Sequence, residues 1–461
     1  MTILGIALVS ALIGALFYFA REKGQTTSKA LWIPLLWILI ISSRPVSMWL
    51  HVNREITLED RYTEGSPLDA TYYAVLLIAG LLVLNRRWAR VKPFLQANLP
   101  VLLFFLYCGL SVMWADSPAI AIKRWVKAIG DLVMILVMLT DPHPSLAIRR
   151  MFERVGFVLL PLSILFIFFI PSMGSSYDPI DHVTMFFGVT TFKNLLGVMS
   201  MFCGLGALWS FLGAWQRRAD PNRTRLLLVH ATAIAMAAGL IVKADSMTSL
   251  SCFGLAGMVM FFASSRWFER RPGHVFLLVA GATGVALFAL FMDTGGSMLQ
   301  SIGRNSTLTG RTQIWAAVLA QHINPVLGTG FESFWMGNRL ESVWSLSQKG
   351  IEEAHNGYLE LYLNLGWVGL AVLGMLIVSG YRNALVLFRR NPDAGRLRIA
   401  FLTAGLIYSC TEAGFRMMSP VWIGFLLAVL AVPDAERVTL PAVEDYPLRQ
   451  SIPRRPVRVL Q

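Results

Sequence analysis

The sequence predicts an all-α, polytopic membrane protein with about twelve or thirteen transmembrane helices and one large external loop. Three observations carry that expectation. The 461 residues are 55% hydrophobic and 15% charged, with a mean hydropathy of +0.58, whereas soluble domains carry roughly 25% charge. Apolar runs recur near 3–20, 31–42, 70–85, 98–114, 125–140, 155–170, 195–215, 226–242, 248–264, 274–292, 358–380, 399–413 and 419–433. Most are long enough to cross or nearly cross a roughly 30 Å hydrocarbon layer as helices, and the last two are short enough to form one re-entrant unit. Finally, the charge alternates from loop to loop. Loops 21–30, 86–97, 141–154, 216–225, 265–273 and 381–398, with the tail 434–461, hold 27 of the 40 Lys and Arg and 10 of the 27 Asp and Glu. Their net charge is +17 and that of everything else is −4.

That alternation is the positive-inside pattern of cytoplasmic loops. It accounts for the overall net charge of +13 as a topology signal and argues against a nucleic-acid partner. It puts the N-terminus outside, the C-terminus inside, and the 293–357 loop outside. An integral membrane domain is expected over 1–433, followed by a basic, Pro-rich and disordered cytoplasmic tail, 434–461. The first span has no basic segment before it and no clear small-x-small cleavage site before Arg21, so it reads as a retained helix. Cys108, Cys203, Cys252 and Cys410 lie in apolar spans without pairable spacing, which indicates neither disulfides nor a zinc site.

Along the chain, loop 43–69 is acidic and turn-rich, which reads as a solvated loop or as a lid or rim of a substrate site. The fourth span ends in Trp114-Ala115-Asp116-Ser117-Pro118, an interfacial Trp followed by a turn. Lys123, Arg124 and Lys127 then enter the fifth span on the external side, where topology asks for no positive charge. Arg124, Lys127 and Asp131 share one helix face. Two readings stand for them: an intrahelical Lys127–Asp131 pair, or a cationic edge on an interior cavity. Lys193 opens the seventh span and Lys243 closes the eighth. Lysines there commonly snorkel to the interface, yet with Arg124 and Arg311 they could ring one external pocket.

The apolar pattern breaks for longest between 293 and 357. Arg311 begins a segment with helical spacing, Ile314 and Val318 marking an apolar face, which suggests an amphipathic helix on the outer interface. Pro325 ends it, and Gly328 and Gly330 permit a tight turn. The Arg311 fork suits anionic oxygens, as does that of Arg304, seven residues upstream. His355 stands at a polar-to-apolar transition beside Asn356 and Tyr358, where an imidazole near its ordinary pKa could take a proton from a hydroxyl. Glu360 would orient polar partners or be a buried structural acid.

Together, Gly310-Arg311-x3-Trp315, Pro325-x2-Gly328-x-Gly330-Phe331 and Ala354-His355-Asn356-x-Tyr358-Leu359-x3-Leu363-x2-Gly366 resemble the O-antigen ligase and polymerase superfamily. Trp114-Ala115-Asp116 and Lys123-Arg124-Trp125-x-Lys127-x2-Gly130-Asp131 are similar to its exopolysaccharide branch, the ExoQ-like proteins. The resemblance implies a GT-C-like membrane glycosyltransferase that works by inverting transfer, with no metal or other cofactor, at the outer face of a bacterial inner membrane. The donor would be a glycan on undecaprenyl diphosphate. The acceptor would be a sugar hydroxyl, on another lipid-linked repeat for a polymerase or on lipid A core for a ligase. Arg311 and His355 would be the catalytic pair, Arg311 on the diphosphate and His355 as base. Arg124, Lys193, Lys243, Arg304, Asn356, Tyr358 and Glu360 would bind substrate. Membrane lipids, a chain-length regulator and export proteins are the remaining expected partners.

Three other functions fit parts of the sequence. A glycan flippase would carry its charges within the bundle and show repeats, and none is visible. A transferase using monophosphate-linked sugars would place an acidic motif in the first outer loop, where Glu59-Asp60 stands. A scaffold for polysaccharide assembly would need no site.

Overall fold

The computed structural model describes residues 2–21, 26–51, 66–178, 183–291, 308–347 and 350–433. Arg304, Glu59, Asp60, Asp181, His182 and the tail 434–461 lie outside them. Among the described residues the chain is all-α apart from one antiparallel hairpin, Ser175–Asp178 with Val183–Phe186.

Among the described residues, six helices are long and apolar enough to cross a membrane: Thr2–Ala20, Pro67–Arg86, Pro144–Phe168, Lys193–Gln216, Arg223–Lys243 and Gly357–Arg390. The pair Trp88–Ala97 and 99–114, bent by 86°, adds a seventh if it is one broken span. The other apolar runs form shorter helices, such as Met247–Ala263 and Pro420–Val429, or, in Pro118–Leu139, a helix carrying four charges. Lys193–Gln216 is the central element: 83% of its apolar window is buried, against 17% for Thr2–Ala20. Lipid tails are as apolar as leucine, so close packing must hold such a bundle together, and small residues permit it. Gly204 fits against Ala237 and Phe253, and Gly206 against Phe152.

The basic loops gather at one end. Arg87 pairs with Asp141 at 3.8 Å, and Asp141 accepts the Ser28 amide at 3.2 Å. Arg149 and Arg396 share Asp393, at 3.3 and 2.7 Å. Arg396 also reaches Gln216 at 3.0 Å.

The long loop before Gly357–Arg390 is more than a surface helix. Leu308–Leu319 buries Ile314 and Val318 in a small core with Phe334, Trp335, Val343, Ala354 and Leu363. The expected amphipathic face is therefore covered by the loop's own residues. The loop is also joined to the helix that follows it. Gly357–Arg390 breaks at Gly366, whose φ of 63° leaves the helical region. Four backbone groups around that break bond to the 325–330 turn instead. Thr329 and Gly330 amides donate to Leu363 and Asn364 carbonyls (3.1 and 2.8 Å), and Trp367 and Val368 amides donate to Pro325 and Val326 carbonyls (2.9 and 3.2 Å). Backbone freed by a kink must find such partners at membrane depth. Gly328 and Gly366 are needed there twice over: each has positive φ, and a Cβ on either would run into the opposing backbone.

Candidate active site

Three segments distant in sequence meet at the end opposite the basic loops. Arg311 lies in the first turn of Leu308–Leu319. Trp315 of the same helix donates its indole N–H to the Ala354 carbonyl at 2.8 Å, which ties the helix to the residue before His355. Asn356 then caps Gly357–Arg390, its Oδ1 accepting the Tyr358 and Leu359 amides at 3.0 Å each. The Gly357 amide donates to the Ser409 carbonyl at 2.8 Å. That bond brings in the third segment, the 409–419 turn between helices Pro392–Tyr408 and Pro420–Val429.

Glu412 of this turn is the hinge of the cluster. Its Oε1 lies 2.8 Å from Arg311 Nη2, and its Oε2 lies 3.0 Å from His355 Nδ1. The same nitrogen is 3.1 Å from Glu353 Oε1. Arg416, one helical turn beyond Glu412, faces Glu353 at 3.9 Å and Glu332 at 3.4 Å. Arg124 donates to the Glu332 carbonyl. Three arginines, three glutamates and one histidine thus form a continuous network. Glu332, His355 and Met418, next to or within it, are three of five non-glycine residues with left-handed φ among those described. Each costs about 1–2 kcal/mol, and strain of that kind concentrates at functional sites.

Burial works to lower the His355 pKa, but hydrogen bonds to Glu353 and Glu412 and the charge of those carboxylates outweigh it, raising it to about 10. Burial works to raise that of Glu353. The His355 hydrogen bond and the charges of His355, Arg416 and Arg311 override it, holding Glu353 below the usual glutamate value. His355 is therefore an imidazolium at neutral pH. This differs from the expected base near its ordinary pKa, and the cause is the pair of carboxylates flanking Nδ1.

The other expected site residues divide clearly. Arg124 joins the network through Glu332. Lys243 does not: its ammonium stacks over Phe186 at 4.0 Å and Phe168 at 5.8 Å. Lys193 sits at the start of its helix, and no contact to the network is recorded for it among the described residues. Three further residues make bonds within the fold. Asn356 is the helix cap. Tyr358 donates its hydroxyl to the Leu406 carbonyl at 3.2 Å. Glu360 accepts the Trp335 indole at 2.6 Å and the Ala354 amide at 2.9 Å. Nor does the Lys127–Asp131 pair form. Asp131 accepts instead from the Trp37 indole and the Met418 amide, both at 2.8 Å.

Glu412, Arg416, Glu332 and Glu353 are not among the residues that the sequence singles out. The acids arrive from separate segments, so no local run shows them. One signal was available: Glu412 and Arg416 stand four apart in a short gap between two apolar helices. Glu353, His355 and Glu412 present ligand atoms within 4.8 Å of one another, a set that could hold a metal ion. Arg311 and Arg416 already stand against those same carboxylates, and we read the cluster as an ion-pair network.

Comparison with known proteins bears on this geometry. Residues 231–374 match a family model described as O-Antigen ligase. The chain is also 23% identical over 357 residues to the exopolysaccharide production protein ExoQ of Rhizobium meliloti (strain 1021), an overlap of 73% of this chain and 76% of that protein. Arg311 and His355 fall inside the matched family region; Glu412 and Arg416 fall beyond it.

Proposed function

For a multi-pass membrane protein of the O-antigen ligase and ExoQ-like kind, we propose a polymerase that joins lipid-diphosphate-linked oligosaccharide repeats into exopolysaccharide or O-antigen. Undecaprenyl diphosphate would carry the donor, and the reaction would take place on the external face of a bacterial inner membrane. The observation that carries this reading is the meeting of Arg311 and His355, 44 positions apart, on the single carboxylate of Glu412. The likeness to an exopolysaccharide production protein supports polymerisation over ligation to lipid A core.

The chemistry follows from the charges. An acceptor hydroxyl oxygen attacks the donor's anomeric carbon from the face opposite the diphosphate. The new C–O bond forms as the old one breaks, and its electron pair leaves on the diphosphate oxygen. Arg311, with the His355 imidazolium, stands where that developing charge can be spread, which is the main demand of such a displacement. A bound diphosphate adds negative charge and strengthens His355's hold on its proton, so the hydroxyl proton goes elsewhere. Glu353 is the suited acceptor: its carboxylate is 28% exposed against 7% for Glu412. It becomes neutral in the step and later returns the proton to water.

The test is the length of lipid-linked glycan in cells whose only copy carries Arg311→Ala or His355→Ala. Single repeats should accumulate. Full-length polymer from both variants would overturn the assignment. Normal chain length with lost export would point to a transporter, and normal polymer lacking attachment to lipid A core to a ligase.

A further inference from the structure

We propose that Glu412 is a positioning residue for this transfer, its buried carboxylate holding Arg311 and His355 in one fixed arrangement. The inference rests on the proposed function and extends it beyond the region matched by the family model, which ends at residue 374.

The geometry is that of a bridge. One oxygen takes the arginine and the other takes Nδ1 of the histidine, at 2.8 and 3.0 Å. Only one guanidinium nitrogen of Arg311 is engaged in this way, which leaves the rest of its five-donor fork for anionic oxygens. Fixing Nδ1 also fixes the ring, so that Nε2 is the nitrogen left to face a substrate, as in carboxylate–histidine pairs generally.

The bridge itself is pinned from several sides. The Glu412 amide bonds back to the Tyr408 carbonyl at 3.0 Å. Thr411 meets Thr248 of Met247–Ala263 at 3.0 Å, hydroxyl to hydroxyl. Ser409 holds Gly357 at the start of the long helix. At the far end of the turn, the Met418 amide is bonded to Asp131, which Trp37 also holds. A carboxylate mounted so firmly can impose geometry on two side chains from elsewhere.

Several charged or titratable groups surround the pair. Glu353 and Glu352 come from its own segment, Arg311 from Leu308–Leu319, and Arg416 and Cys410 from the 409–419 turn. Tyr408 comes from Pro392–Tyr408 and Cys252 from Met247–Ala263. Glu353 and Glu412 are the two that touch the ring. Removing the charge of Glu412 leaves the imidazolium with one carboxylate in place of two, and its proton becomes easier to lose.

The experiment measures transfer by the full-length protein in membranes, from a lipid-diphosphate-linked oligosaccharide, for wild type, Glu412→Gln, Glu412→Asp, Arg311→Ala and His355→Ala across pH. Glu412→Gln keeps the shape and loses the charge. We expect its turnover to fall about 100-fold, the scale of a misplaced catalytic group, and its alkaline limb to move to lower pH. Glu412→Asp should restore the wild-type limb with turnover still reduced severalfold. Wild-type turnover in Glu412→Gln overturns the inference, and so does lost turnover with an unmoved limb, which marks a merely structural role. If Glu412→Gln does not accumulate, Glu412→Asp decides by turnover: a severalfold loss in protein that accumulates to the wild-type level supports the inference, and wild-type turnover sinks it. Activity in Arg311→Ala and His355→Ala would instead bring down the proposed function itself.

Discussion

The two ends of the bundle are built from the same pairings and used differently. At the basic end, Arg87 meets Asp141, and Arg149 and Arg396 share Asp393. At the opposite end, Arg311 meets Glu412, and Arg416 lies between Glu332 and Glu353. The basic-end arginines sit within or beside regular helix, and cations outnumber acids there, as membrane orientation requires. The opposite end balances its charges, threads a histidine through them, and holds Glu332 and His355 in left-handed backbone. Ion pairs as such do not mark a site. Charge balance where topology asks for none, combined with backbone strain, does.

That contrast can be broken by mutation, and the largest effects should all fall at one end. Arg311→Ala and His355→Ala should each lower polymer formation at least about 100-fold, by analogy with removal of one charge-stabilising donor. Arg149→Ala should leave chain length unchanged on the same gels. Loss of polymer in Arg149→Ala would erase the distinction. Glu353→Gln should slow turnover by about 10²–10⁴-fold if it accepts the proton, with donor affinity much less affected in a direct titration.

The pH response sharpens the comparison further. His355 has a folded pKa raised to about 10, above the roughly 6.5 of an unfolded histidine. Its network therefore contributes stability that is fully present below the unfolded value and is lost as pH rises through about 10. Thermal melts of His355→Gln and wild type should converge toward that alkaline limit. Turnover should hold through neutral pH and fall along the same limb. A rise in rate toward pH 10 would return the base role to the histidine.

Smaller effects are expected from the scaffold. Asn356→Ala removes a cap that holds two amides and should cost about 1 kcal/mol, read as a lowered melting temperature with turnover retained. Arg149→Ala should lower the melting temperature with turnover retained, because it removes the pair with Asp393 and the packing over Trp209. A chelator should change nothing in the transfer assay. Activity restored only by an added divalent ion would recast Glu353, His355 and Glu412 as its ligands.

The residues that were legible in the sequence share a reason for being so. Arg311 and His355 interrupt a long apolar pattern inside a stretch of polar residues, and the alternating charge of the loops placed them opposite the basic end. Ile314 and Val318 announced their helix face by spacing, though spacing could not say that Phe334 and Leu363 would cover it. Glu412 stayed hidden because eleven residues between two apolar helices read as a plain turn. Asn356, Tyr358 and Glu360 lie beside the histidine in sequence. Helix geometry turns their polar atoms toward a backbone end, a carbonyl and an indole. Proximity along the chain suggested a shared task that three dimensions divide.

The exchange of backbone hydrogen bonds between the 325–330 turn and the break at Gly366 has a consequence for biosynthesis. Neither partner can complete its bonding until the other has emerged from the ribosome and been inserted. The bridge on Glu412 requires the chain to be made some 50 residues further still. An insertion intermediate truncated before the penultimate helix would hold Arg311 and His355 without the group that joins them. Under the proposed function, an intermediate that stops short of Glu412 would be inert, and lipid-linked sugars would meet a competent site only once the 409–419 turn is in place.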